Sequence, residues 1–431
     1  MNTLFEFLSL SDPNVRYVTL GAMLLMGSSS LMGTFTLLNK KSLIGDAIAH
    51  AVLPGVCLGF IFSGSKDPLW ILAGAFFTGA FSVYLIDFIV QHSRIKEDTA
   101  IALVLSVFFG AGIVLLTFIQ KSGNAAQSGL DQFLFGRAAA INRNDLMVFG
   151  ITAVVIASAT LLFKRIFILM AFDRDYARSL GFPVKFIQFI QTSLIVLAVV
   201  IGIQAVGVVL MAAVLITPAA AARYWSNSVK GILLIATMVG LFSGFAGAFV
   251  SYVAPAMPTG PWIVVVASVM AFASMIFSPQ SGMLSRYLHQ RRLRHTVADE
   301  NLLKVFYQLA ETDKTFFDGR TLAQLTGRRK FQIVSLKRRL SRLQRQGYLE
   351  KSGDGWKLTD AGLIRAQRIV KIHRLWELYL TTYMKIAPDH VHEDADTIEH
   401  LLTPELEQEL ERQLGYPDTD PHQAEIPYRK N

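Results

Sequence analysis

Apolar stretches near the ~20 residues that a helix needs to cross a bilayer follow one another from residue 15 to residue 279. They lie at 15–38, 42–63, 69–90, 100–120, 146–163, 185–204, 205–225, 231–252 and 261–279. Inside hydrocarbon every backbone N–H and C=O must find a partner within the chain, so runs of this length read as helices. From His289 onward no such run exists, and Lys, Arg, Glu and Asp become dense. The bulk figures fit that division. With 52% hydrophobic and 17% charged residues and a mean hydropathy of +0.41, the chain is too apolar to be soluble and too polar to lie wholly in lipid. The expected fold is an all-α polytopic membrane protein of about eight or nine transmembrane helices, followed by a soluble domain.

Lys and Arg in the short loops set the orientation. Lys40, Lys41, Arg94, Lys96, Lys164, Arg165, Arg174, Arg178, Lys185, Arg223, Lys230 and Arg286 are read as loop residues on one side, against Arg16, Lys66, Lys121, Arg137 and Arg143 on the other. The richer side is expected to be cytoplasmic, and the tail follows the last helix on that side. Nine spans put the N-terminus outside; eight are expected if one run is re-entrant. The single Cys57 can form no internal disulfide. The N-terminal MNTLFEFLSLSDPNV lacks a basic n-region and a cleavage site, so the first helix is expected to direct insertion.

Three features interrupt the apolar rhythm. Within SLIGDAIAHAVLPG, Asp46 and His50 share a helical face at i and i+4. With a helix starting near Lys41, His50 lies roughly 13 Å into the membrane. A charge at that depth costs roughly 2.5–3.5 kcal/mol on insertion scales, and ionisable groups there are functional by default. Carboxylate plus imidazole suits Mn, Fe or Zn; a buried pair that fixes helix packing is the structural alternative. Pro54 and Gly55 are expected to loosen the helix just beyond. AFDRDYARSLGFP, from Ala171 to Pro183, is a polar helix-compatible insert between spans, either an ordinary loop or a docking helix for a partner. LMAAVLITPAAAAR places Thr217 and Pro218 among small residues, which reads as a kinked, closely packed scaffold helix.

GDAIAHAVLPG, the DQFLFG of Asp131–Gly136, FDRDYARSLG, LITPAAAAR and the late PTGP together resemble the permease subunits of metal-uptake ABC transporters, over residues 10–288. The resemblance implies that Asp46 and His50 line the path of a manganese, zinc or iron ion. It implies that Asp173, Asp175, Ala177 and Gly181 belong to a coupling helix seated in a cytoplasmic ATPase. The chain has no Gly-x-x-x-x-Gly-Lys-Ser/Thr loop, so ATP hydrolysis falls to that separate subunit and this chain is not itself an enzyme. An extracytoplasmic metal-binding protein and a second permease protomer are the other implied partners.

In the tail, NLLKVFYQLAE, TLAQLTG and KFQIVSLKRRLSRLQRQGYL have helical periodicity, and YLEKSGDGWKLTDAG alternates around Gly353-Asp354-Gly355 as a hairpin. Helix, helix, basic helix and hairpin make a winged helix-turn-helix, in which Lys330, Gln332, Lys337, Arg338 and Arg339 would meet DNA. A solvated basic helix in a protein-binding module is the alternative. Beyond it, His373 and Glu377 are i, i+4 on one helix, and His392, Asp396, Glu399 and His400 crowd another. Nitrogen and oxygen donors without thiolate suit Mn, Fe or Zn.

HRLWELYL, VHEDADTIEH and GYPDTDPHQAEIP resemble the diphtheria-toxin-repressor and manganese-repressor family, over about residues 300–427. The resemblance implies one metal site at His373, Glu377 and His392 and a second, activating site at Asp396, Glu399 and His400. Where the family's first helix supplies a further ligand, this chain has Asn301, with Lys304 a turn later. The resulting domain plan is a permease over 1–288, a basic linker over 289–299, a winged helix-turn-helix over 300–370, and a helical metal-binding and dimerisation domain over 371–431. The expected function is import of a divalent metal across the bacterial inner membrane under control of a cytoplasmic metal-responsive tail, which binds metal to inhibit transport or binds operator DNA. A membrane-anchored or proteolytically released metal-dependent repressor or metal receptor is the competing reading.

Overall fold

Asp12 begins the first long helix by accepting the N–H of Asn14 at 2.8 Å, with Pro13 at the first helical position, where its missing N–H leaves nothing unsatisfied. The computed structural model describes residues 2–64, 68–121, 136, 138–254, 257–329, 331–386 and 402–428. Its elements are α1 (Asn2–Ser9), α2 (Pro13–Leu38), α3 (Ile44–Ser63), α4 (Pro68–His92), α5 (Glu97–Lys121), α6 (Arg143–Phe172), α7 (Arg174–Ser179), α8 (Val184–Val206), α9 (Val208–Arg223), α10 (Val229–Val253), α11 (Thr259–Phe277) and α12 (Met283–Asp313). They continue with α13 (Leu322–Arg328), α14 (Ile333–Arg345), β1 (Leu349–Ser352), β2 (Gly355–Leu358), α15 (Asp360–Tyr383) and α16 (Pro404–Leu414). The chain divides into two compact units, 1–286 and 287–431.

Among the described residues, eight helices of the first unit are long and apolar enough to cross a membrane. The run expected at 205–225 is α9, of sixteen residues, which rises only about 24 Å against a hydrocarbon core of roughly 30 Å. Its start is set by Gly207, whose φ of 88° ends α8 and opens α9. A short helix is tolerated at membrane depth where protein covers it. Here α2, α3, α10 and α11 all pack against α9. Pro218 lies inside it without ending it.

The span expected at 146–163 is longer, because Asn142 and Asp145 form a capping box before Arg143 and the helix continues to Phe172. Lys164 and Arg165 therefore sit within α6 and not in a loop. α3 begins at Ile44, because Lys41 accepts the N–H of Ile44 in a turn that precedes the helix. His50 is therefore about 9 Å from the helix start, shallower than a start at Lys41 predicts.

Gly55 works by close packing and not by loosening. α3 is continuous through Pro54, and a Cβ on Gly55 would collide with the Gly74 carbonyl and the Thr78 hydroxyl of α4. Gly59, four residues on, meets the Trp70 carbonyl in the same way. This is a small-xxx-small crossing of two membrane helices. At the opposite end of α3, the Lys41 ammonium lies 2.9 Å from Asp87 of α4 and 3.2 Å from Glu97 of α5. Gln188 of α8 donates to the same Asp87 at 3.1 Å. This partly buried network thus ties the turn before α3 to α4, α5 and α8.

In the second unit Thr321 and Gln324 cap α13 reciprocally. β1 and β2 pair antiparallel, Leu349 opposite Leu358, around a two-residue turn whose Gly353 has φ 56°. Leu325, Leu336, Leu340, Leu343, Leu349 and Leu358 share one core with Phe306 and Ile369. This is the expected helix, helix, basic helix and hairpin. Residues 289–299 are helical, within α12.

Candidate functional site

Asp46 occupies the first turn of α3, where the unpaired N–H groups of a helix start favour negative charge. One turn on, His50 Nε2 lies 3.4 Å from Asp46 Oδ1. The imidazole stands edge-on to Phe109 of α5, with ring centroids 4.8 Å apart. His50 Nδ1 is buried and has no hydrogen-bond partner among the described residues. Both side chains remain partly open, 18% exposed for His50 and 36% for Asp46, so the pair is not sealed in a dry knot. Two donors each about 2.1 Å from a tetrahedral ion stand about 3.4 Å apart. The spacing therefore suits a shared divalent cation as well as it suits a weak hydrogen bond.

Asp173 caps α7 through the N–H of Tyr176 at 2.8 Å, and Asp175 pairs with Arg178 at 3.0 Å. At the other end Gly181, with φ 82°, closes the helix. Gly181 N–H bonds the Arg178 carbonyl and Phe182 N–H the Ala177 carbonyl, a terminus that needs a left-handed residue. Ala177 is fully buried. Ala177 and Gly181 therefore shape the helix, whereas Tyr176 on α7 and Leu180 at its cap, each more than half exposed, are the apolar side chains that this short helix offers. Sequence reasoning passed over these two, although their four-residue spacing was available to it.

In the tail His373 lies on α15 with Nε2 2.8 Å from Glu377 and Nδ1 2.9 Å from the Lys304 ammonium of α12. The helix is held from behind by charged contacts. Arg374 bonds Glu311 through two nitrogens at 2.9 and 2.7 Å. Lys371 bridges Glu407 and Glu411 of α16, each at 2.6 Å. Burial works against the Lys371 charge, yet the bonds to both carboxylates prevail and raise its pKa above the ordinary lysine value. His392, Asp396, Glu399, His400 and Lys330 lie outside the described residues, as do Asp131–Phe135. Among the described residues no three His, Cys, Asp or Glu side chains gather as a metal cluster.

Gln332, at the N-cap of α14, and Lys337 and Arg338 on that helix are exposed. Arg339 instead donates to the Ala298 carbonyl at 3.2 Å. Arg342 pairs with Asp299 at 3.1 Å. Ile333 and Val334, 60% and 65% exposed, stand at the start of that helix and were not anticipated.

Both units are similar to known proteins. Residues 359–428 match the iron dependent repressor, metal binding and dimerisation domain. The chain is 40% identical over 383 residues to the manganese transport system membrane protein MntC of Bacillus subtilis, covering 88% of this chain and 87% of that one. It is also 40% identical to the zinc transport system membrane protein TroC of Treponema pallidum, covering 66% of this chain and 95% of the other. Among solved structures it is similar to PsaBC from Streptococcus pneumoniae in complex with Fab, with 30% identity, a TM-score of 0.59, and coverage of 67% of this chain and 99% of that one. With residues 11–278 matching its defining pattern, this multi-pass membrane chain belongs to the ABC 3 transport family.

Proposed function

We propose that the chain is the permease subunit of an ATP-driven importer of a divalent cation of the manganese, zinc or iron class in the bacterial inner membrane. The observation that carries this reading is the Asp46–His50 pair, partly open and 3.4 Å apart, with an imidazole nitrogen left without a partner among the described residues. Manganese and zinc relatives support the cargo class. The ion is bound transiently, and release follows when the surroundings of the pair change. No bond is made or broken by this chain. A separate ATPase docks on the exposed face of α7, an external binding protein delivers the ion, and a second protomer completes the pathway. With α7 on the cytoplasmic side, the tail after α11 is cytoplasmic as well. The test is uptake of radioactive manganese and zinc by cells carrying Asp46→Ala or His50→Ala, with the protein amount in the membrane measured in parallel. Loss of uptake at equal amount is expected, and unchanged uptake removes the pair from the path.

The tail senses the same class of ion. Two outputs are open to it: inhibition of transport by cytoplasmic metal, or binding of operator DNA. The exposed Gln332, at the N-cap of α14, and Lys337 and Arg338 on that helix favour the second. A mobility-shift assay with operon DNA, with and without manganese, decides between them. Absence of a shift under both conditions leaves transport control.

A further inference from the structure

The first unit contains a cavity of about 900 Å³ ringed by Lys40, Arg223 and Arg286, with no Asp or Glu in its lining. The three cations come from separate places: the turn after α2, the last residue of α9, and the start of α12. None of them forms an ion pair among the described residues. Arg223 is the end of LITPAAAAR, a motif that the transport reading leaves without a task. The same lining holds apolar side chains, Leu38, Phe172 and Ile232 among them, beside the polar Ser226, Asn227 and Ser281.

Two backbone details bear on where Lys40 and Arg223 are anchored. Lys40 has φ +61° in the closing turn of α2, where Lys40 N–H bonds the Leu37 carbonyl and Lys41 N–H the Thr36 carbonyl. Glycine is the usual residue there, and a lysine is strained. The Tyr224 carbonyl, an acceptor at the end of α9, is already taken by the Ser278 hydroxyl. The C-terminal ends of α2 and α9 carry partial negative charge, each about half a unit, which three full cations outweigh. Three cations beside apolar side chains, at the ends of membrane helices, match an amphiphile with an anionic head.

We propose that this cavity binds the phosphodiester headgroup of an anionic phospholipid, next to the helix on which the ATPase docks. The proposal rests on the orientation given above for the choice of leaflet, which is the cytoplasmic one. Ala171 and Phe172 line the cavity and lead directly into Asp173 and α7, so an occupying lipid braces the root of the docking helix.

The test uses the full chain in phosphatidylcholine nanodiscs containing a minor share of phosphatidylglycerol, with retained lipid counted by native mass spectrometry after detergent extraction. The wild-type chain is expected to retain phosphatidylglycerol selectively. The triple variant Lys40→Gln, Arg223→Gln, Arg286→Gln is expected to lose on the order of a hundredfold in affinity, roughly fivefold for each cation removed. The charge-keeping pair Arg223→Lys, Arg286→Lys is expected to retain the lipid, which separates loss of charge from misfolding. Equal retention by wild type and the triple variant overturns the proposal. Displacement by glycerol 3-phosphate or inorganic phosphate overturns it in favour of a soluble anion, and stripping of the lipid by added ATPase subunit overturns it in favour of a protein contact. Orientation is read separately, by labelling Arg223→Cys with an impermeant maleimide (Cys57 is buried). Labelling from outside overturns the topology, and with it the leaflet, without touching the headgroup result.

Discussion

The Lys304 ammonium lies 2.9 Å from His373 Nδ1, so a buried cation stands against the imidazole that the repressor resemblance makes a metal ligand. A fixed positive charge within about 5 Å opposes a divalent ion even at an effective dielectric of ~20. Lys304→Gln is therefore expected to tighten metal binding by the tail at least about tenfold, or 1.4 kcal/mol. Isothermal titration of the full chain carrying Asp46→Ala and His50→Ala isolates the tail. Weaker binding in Lys304→Gln would show that the lysine supports the site.

The crossing of α3 and α4 yields a second expectation. Gly55 and Gly74 each leave no room for a Cβ against the other's backbone carbonyl. Gly55→Ala should force the helices apart and cost about 1–3 kcal/mol, the usual range for overpacking. Because α3 carries Asp46 and His50, uptake should fall in proportion to the lost stability. Thermal unfolding in detergent and metal uptake, measured together, check both. Gly64→Ala is no control, since its φ is 63°; Gly110→Ala, with open space around it, is.

Much of this was legible in the sequence, and the misses share a cause. Long apolar runs announce membrane helices because the bilayer fixes their length. The winged helix-turn-helix announced itself through period and the Gly353 turn. Asp46 and His50 could be paired because i, i+4 is local. The choice between eight and nine spans stayed open, since hydropathy cannot register the backbone angle at Gly207 that shortens α9. The Lys304–His373 contact joins residues 69 apart in sequence, beyond any local rule. Arg339 looked like its neighbours Lys337 and Arg338, and only packing against α12 sets it apart.

Asp299 gives a pH expectation. Burial holds its carboxyl above the ordinary aspartate range, and Arg342 and Arg339 only partly offset it. The folded state therefore binds the proton more tightly than the unfolded one. Stability from this group is fully present below the unfolded pKa and is lost as pH rises through the raised folded value. Asp299→Asn should make the tail more stable at neutral pH, with the advantage closing under acid. Denaturant unfolding across pH 4 to 7 measures it, on the scale of the ordinary carboxylate range. A variant less stable than wild type at pH 7 would mean that the Arg342 pair outweighs desolvation.

The basic residues of α14 are expected to divide by what they already hold. Lys337 and Arg338 are exposed, while the Arg339 guanidinium is engaged by the Ala298 carbonyl. A cation that contacts a DNA phosphate releases a counterion, so each such residue removed lowers the salt slope of binding by roughly one. Lys337→Ala and Arg338→Ala should each do so if the tail binds DNA. Arg339→Ala should leave the slope unchanged and instead cost about 1 kcal/mol of fold stability, the ordinary worth of one hydrogen bond. Fluorescence anisotropy of a labelled duplex at several salt concentrations, with manganese present, reads the slopes. Equal slope changes for all three residues would mean that Arg339 leaves Ala298 on binding. Identical slopes for wild type and both exposed-residue variants would take α14 out of any nucleic-acid contact, leaving metal control of transport as the task of the tail.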